Sequence, residues 1–140
     1  MAWLVLEDNR GRAEAFTNAA ARCAAPQDIR IWRIAAHMVR DLPELLGGAT
    51  LLSLDHDLYK QEDTDPDPGC GRDVVSYLAK QKPVCPVIIH STNTEAAWGM
   101  YNELAAAAGW KVEIIHHLDE PGWIDTRWFA LARQLTGTEA

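Results

Sequence analysis

Cysteine is scarce in this chain. There are three, Cys23, Cys70 and Cys85, an odd number with no Cys-x-x-Cys pair. That argues against a disulfide framework and reads as reduced thiols in a cytoplasmic protein. Cys23 and Cys85 read as core filler, and Cys70 falls in a loop. Positive charge is also short: 13 Lys and Arg face 20 Asp and Glu, for a net charge of −7. No basic face is therefore available to track a long nucleic acid. No apolar run approaches the roughly 20 residues that cross a bilayer. Met1 leads straight into a strand-like run, not into a basic-plus-apolar leader. A Ser/His/Asp triad can be assembled on paper, but no Gly-x-Ser-x-Gly elbow exists to present the serine.

What the chain does have is alternation of strand and helix signals over 140 residues, enough for one domain with a real core. Strands are expected over 2–6, 28–34, 50–54, 86–89 and 110–115. Helices are expected over 10–24, 35–46, 71–81, 94–108 and 122–135. Pro26 ends the first helix, Gly47-Gly48 the second and Lys82-Pro83 the third. Five such units predict an α/β fold, a three-layer doubly wound parallel sheet of strand order 2-1-3-4-5, as in flavodoxin-like proteins, spanning residues 1–140 as one domain.

In such sheets the carboxyl ends of neighbouring strands carry the site. Here they end in Glu7-Asp8, in Asp55-His56-Asp57 and in His90-Ser91-Thr-Asn93. Acids closing adjacent strands suit a hard divalent cation such as Mg²⁺, so Glu7, Asp8 and Asp55 are the expected metal ligands. His56 and His90, with Asp55 and Asp57, are the expected catalytic groups, because an imidazole gives or takes a proton near neutral pH. Ser91 and Asn93, at a helix start, are expected to hold phosphate oxygens. His116 and His117, at the end of the fifth strand, are weaker substrate-binding candidates. The six tryptophans read mainly as core; Trp98 and Trp123 could instead wall a base or sugar.

The acidic loop between Leu58 and Cys70 imitates a calcium loop only in part. Asp63, Asp65 and Asp67 alternate correctly, but Pro68 stands where glycine is needed and Val74 where the closing glutamate belongs. It reads as a solvated loop able to cover the crevice.

Leu51-Leu-Ser-Leu-Asp55 with Pro86-Val-Ile-Ile-His-Ser-Thr92 resembles the response-regulator receiver domain. That resemblance puts Asp55 at the phosphoacceptor position, Glu7 and Asp8 at the acidic pair and Ser91 at the Ser/Thr switch. It departs where a receiver has a lysine, since Ile115-His116-His117 stands there. Leu54-Asp-His-Asp-Leu58, Gly71-Arg-Asp-Val74 and His90-Ser-Thr-Asn93 together resemble an offshoot, the cyclic-phosphate-processing receiver-like family. The resemblance implies a receiver fold and metal-assisted hydrolysis of cyclic phosphates on nucleotides or RNA ends. The implied partner is a small phosphorylated ligand or nucleotide, not a membrane, and a homodimer is compatible with it. The competing reading is a divergent receiver that accepts phosphate on Asp55 or serves as a protein-interaction signalling module.

Overall fold

The chain adopts the expected architecture in a computed structural model that describes residues 1–107, 109–116 and 118–139. The elements are β1 (Ala2–Leu6), α1 (Arg10–Ala21), β2 (Asp28–Trp32), α2 (Ala35–Leu45), β3 (Ala49–Leu54), α3 (Gly71–Leu78), β4 (Val87–Ile89), α4 (Thr94–Ala106), β5 (Val112–Ile114) and α5 (Phe129–Thr136). All strand pairs are parallel, in the order β2-β1-β3-β4-β5. No helix among the described residues is long and apolar enough to cross a membrane.

Side chains alternate across each strand, and the two faces build two cores. Leu4, Leu6, Leu52, Leu54, Val87 and Ile89 face α2, α3 and α4. Trp3, Val5, Leu51 and Ile88 face α1 and α5. Ser53 belongs to the second face and is fully buried there. Its hydroxyl accepts the indole N–H of Trp128 at 2.9 Å, which satisfies both polar groups in an apolar layer.

Several ends differ from the expected ones for identifiable reasons. Helix α1 stops at Ala21 rather than 24, because the Ala24 N–H goes to the Glu139 carbonyl and the Gln27 N–H to Ala20. Strand β2 stops at Trp32 rather than 34, where its partner β1 runs out. Helix α3 tightens after Leu78 into short i→i−3 bonds at Lys80 and Gln81 ahead of Pro83. Strands β4 and β5 are cut to their mutually paired residues, 87–89 and 112–114. The helix expected from 122 begins instead as a π-helical turn, Ile124–Trp128. The Trp128 N–H bonds the Trp123 carbonyl five residues back. That wider turn puts both indoles on the sheet side, which an ordinary helix would separate. Cys23 is buried as expected, whereas Cys85 is half-buried at the edge of the first core.

The acidic loop is tied at both ends. Asp57 and Cys70 form an isolated antiparallel bridge, and Pro68 accepts the Ala35 N–H. Asp65 takes the N–H groups of Gln61 and Glu62, and Asp67 takes that of Gly69. These carboxylates close turns on their own backbone, as Asp does in Asx motifs.

Candidate functional site

Continuing the alternation one step past each strand places the site. Glu7 follows Trp3 and Val5, Asp55 follows Leu51 and Ser53, and His90 follows Ile88. All three point to the α1/α5 side, and their exposures are 0%, 7% and 2%. One ligand atom from each lies within 4.8 Å of the other two. Asp8, one residue out of phase, is buried beside them; its Oδ2 accepts the Tyr59 N–H at 2.7 Å, while its Oδ1 is buried with no hydrogen bond.

His90 is held on both nitrogens. Nε2 lies 3.2 Å from Glu7 Oε1, and Nδ1 lies 2.6 Å from Ser53 Oγ. An ionised carboxylate only accepts, so Nε2 carries a hydrogen. The Trp128 indole only donates, which leaves the Ser53 hydroxyl free to donate to a neutral ring or to accept from a charged one. With a neutral ring every polar group of this hydrogen-bond chain is paired; with a charged ring the Ser53 hydroxyl accepts twice and its own hydrogen is left over. Phe16 and Trp123 pack against the ring, with centroids at 5.0 and 5.9 Å.

The carboxylates respond in opposite directions. Burial alone would raise Glu7, but the hydrogen bond and charge of His90, the Arg12 guanidinium at 3.1 Å and the Asn9 N–H hold it at about 2. Burial dominates at Asp55 and pushes it up to about 6; the charge of His90 and the His56 N–H pull it down, while the charges of Glu7 and Asp8 add to the rise. Asp8 is raised as well, first by burial, against the pull of the Tyr59 N–H.

A cavity of about 100 Å³ opens over these groups, lined by Glu7, Arg12, Asp55, Asp57, Tyr59, His90, Thr92, Leu118 and Trp123. Arg12 is the one cationic side chain among them. A larger cavity of about 230 Å³ adjoins it and shares Thr92 and Leu118; Ser91, Thr94, Trp98, Ile114 and His116 also line it.

The structure sorts the other expected residues. His56 does not line the acidic cavity; its Nδ1 lies 2.6 Å from Asp57 Oδ1, and Asp57 does line it. The Asn93 side chain caps α4 through the Ala96 N–H, and its amide reaches Asp57 at 3.4 Å. Ser91 Oγ accepts the Asn93 N–H and faces the larger cavity, as does exposed His116. His117 lies outside the described residues. Trp98 is not core: α4 buries Ala97, Met100 and Leu104, and Trp98 is one step off that stripe and 47% exposed. Trp123 is both core and cavity wall. Arg12, Ser53, Thr92 and Trp128 were not anticipated. A lone serine inside an apolar strand was the signal for Ser53; Arg12 had only its place in the first turn of the helix after Glu7-Asp8.

Residues 3–106 match the cyclic-phosphate processing receiver domain family. No curated protein sequence matches the chain. In structure it is similar to the response regulator receiver domain from Rhodospirillum rubrum, with TM-score 0.69, 18% identity and full coverage of both chains. It is also similar to the response regulator domain of Thermotoga maritima CheB (0.66, 13%, 100% and 98% covered). A third likeness is to the receiver domain of RcsB from Salmonella enterica serovar Typhimurium (0.62, 15%, 97% and 91% covered). These identities speak to the fold.

Proposed function

Because the chain belongs to the cyclic-phosphate processing receiver domain family, we propose that it opens a cyclic phosphodiester on a nucleotide or RNA end with the help of a divalent cation. The carrying observation is the convergence of Glu7, Asp55 and His90 in a cavity where Arg12 faces the three carboxylates of Glu7, Asp55 and Asp57, with Asp8 buried beside them. A phosphate anion could not enter such a field unaided. The donor set fits a cation: three buried ligand atoms are already gathered, and Asp8 Oδ1 is buried with no hydrogen bond, its ion-pair contact being Arg12 at 4.0 Å. Glu7, Asp8 and Asp55 form an all-oxygen set suited to Mg²⁺; His90 would join it, and shift the preference toward Mn²⁺, only by releasing the Nε2 hydrogen it gives to Glu7. When bound, the ion would offset phosphate charge and lower the pKa of a water.

The two histidines then divide the work. Both nitrogens of His90 are engaged, so His90 is assigned to holding the site. His56 is assigned to proton transfer: Asp57 orients it through Nδ1 and leaves Nε2 for the reaction. Water adds to phosphorus, one ring P–O bond breaks, and the proton lost by water ends on the released alkoxide by way of His56. Arg12 and Thr92 line the cavity and are placed to steady phosphate oxygens.

Phosphorus NMR on 2′,3′-cyclic nucleotides with Mg²⁺, Mn²⁺ or EDTA tests the activity. Metal-dependent ring opening is expected, and its absence across the panel would end this reading. His56→Ala should lower turnover on the order of a hundredfold while cation binding persists. His90→Ala should weaken Mn²⁺ binding by about tenfold or more. Calorimetric titration separates the two; equal effects on binding would reverse the assignment. Cation binding should also weaken steadily below pH 6, because Asp55 at about 6 must lose its proton first. A flat affinity between pH 4.5 and 7 would remove Asp55 from the ligands.

The receiver fold favours a second reading, Asp55 as a phosphoacceptor in a signalling module. It predicts an acyl phosphate on Asp55 after acetyl phosphate treatment with Mg²⁺, detectable by mass spectrometry and absent from Asp55→Asn.

A further inference from the structure

The acidic cavity has room for little beyond a phosphate group, at about 100 Å³. The adjoining cavity is more than twice as large, about 230 Å³, and the two meet at Thr92 and Leu118. A ligand whose phosphate sits over Glu7 and Asp55 would therefore extend its organic part past Thr92. Their walls differ accordingly: Glu7, Asp55, Asp57 and Arg12 on one side, and Ile114, Ile115 and the Trp98 indole together with Asp119 on the other.

Exposed aromatic side chains reinforce this division. Among the described residues four large hydrophobic side chains are exposed, Met1, Tyr59, Val84 and Trp98. The two aromatic ones among them each line one of the two adjoining cavities, Tyr59 the acidic one and Trp98 the larger. Leaving an indole 47% exposed forfeits burial that the core could have gained. Tyr101 packs edge-on against it at 5.5 Å and helps fix its position on α4. A fixed aromatic surface beside a phosphate-sized cavity suits a planar ring, because bases stack on aromatic side chains irrespective of sequence.

We infer that the cavity between α4 and the end of β5 is a nucleobase subsite walled by Trp98, so that the ligand is a nucleoside phosphate, not a base-free cyclic phosphate. The inference rests on the cyclic-phosphate reading for the position of the phosphate, and it is tested separately from it. KM is measured for adenosine 2′,3′-cyclic phosphate and for glycerol 1,2-cyclic phosphate, with Mn²⁺, in the wild type, Trp98→Ala and Trp98→Phe. Affinity for the non-cyclic adenosine 2′-phosphate is measured in parallel by calorimetry.

Trp98→Ala should raise KM and Kd for both adenosine compounds by about tenfold or more. It should leave glycerol cyclic phosphate unchanged, and Trp98→Phe should recover most of the loss. Equal KM for the two cyclic compounds, with no effect of Trp98→Ala, would remove the subsite while the phosphodiesterase reading stands. If neither compound turns over, that reading fails, and calorimetry decides the subsite. Binding of adenosine 2′-phosphate that depends on Trp98 upholds it, and no such binding overturns it. A Trp98→Ala variant that changes only the oligomeric state would identify the face as a contact between copies and overturn it too.

Discussion

Replacing Asp55 with Asn is expected to raise the melting temperature of the metal-free protein by roughly 10 °C at pH 7 and by almost nothing at pH 4. Asp55 is 7% exposed and its folded pKa is about 6, against an ordinary 3.8. Two units correspond to about 3 kcal/mol. The sign follows from proton binding. Between about pH 4 and 6 the folded protein holds a proton on Asp55 that the unfolded chain has released. Stability from this group is therefore complete below about pH 4 and is lost as pH rises through 6. Asn is a permanently neutral copy whose carbonyl still accepts the His56 N–H. The gap between variant and wild type should thus open with rising pH, in thermal melts run from pH 4 to 8 with EDTA. A gap of constant size would mean that the gain comes from packing and not from ionisation. Added Mn²⁺ should then stabilise the wild type and not the variant. Glu7 carries the opposite sign: held at about 2 against an ordinary 4.5, its contribution is complete above about pH 4.5 and is lost as pH falls from there through 2.

That opposition is a design feature of the pocket. Arg12 and His90 anchor Glu7 as a fixed negative group, and the uncompensated charge is concentrated on Asp55 and Asp8. A protein that only needed stability would have neutralised them. Keeping them raised stores free energy that a cation can recover on binding.

Much of this pocket was open to inspection in the sequence. Strand ends named the residues that converge at the cavity, and the strict two-residue alternation from Trp3, Leu51 and Ile88 could have gone further. It selects Glu7, Asp55 and His90 for one face and sets Asp8, His56 and Ser91 one residue out of phase with them. Grouping all the polar strand ends into one crevice overlooked that phase. Other features depend on tertiary contacts that no local pattern carries. The Ser53 hydroxyl has its meaning only because a π-turn brings Trp128 to it across 75 residues. Arg12 reaches Glu7 because Asn9 caps α1 and sets the direction of its first turn. Trp98 and Trp123 look alike in composition, yet one is set off its helix's buried stripe and the other is folded against His90.

Gly71→Ala should damage the site more than any change to the side chains that line it, although Gly71 is not among them. A Cβ at Gly71 would stand 1.9 Å from the Asp55 carbonyl oxygen and 2.7 Å from the Met100 methyl. The first neighbour is backbone, so the strand end or the helix must move. The same position is pinned from the other direction, because the Gly71 N–H donates to the His56 carbonyl at 2.9 Å. The rest of the Gly71-Arg-Asp-Val74 motif serves the same junction: the Asp73 carboxylate accepts the Cys70 N–H at 3.0 Å, and Val74 is fully buried. This motif is therefore scaffold, holding the Asp55–Asp57 turn at its height above the sheet. Overpacking of this kind costs about 3 kcal/mol or more, and relief by shifting residues 55–57 would separate Asp55 from Glu7 and His90. Chemical denaturation should show the loss, and cation binding should disappear in whatever fraction remains folded. Gly47→Ala supplies the control, since a Cβ there meets nothing within 4 Å. If Gly71→Ala melts with the wild type and binds cation equally well, the close approach of α3 to the end of β3 is not what holds Asp55 in place.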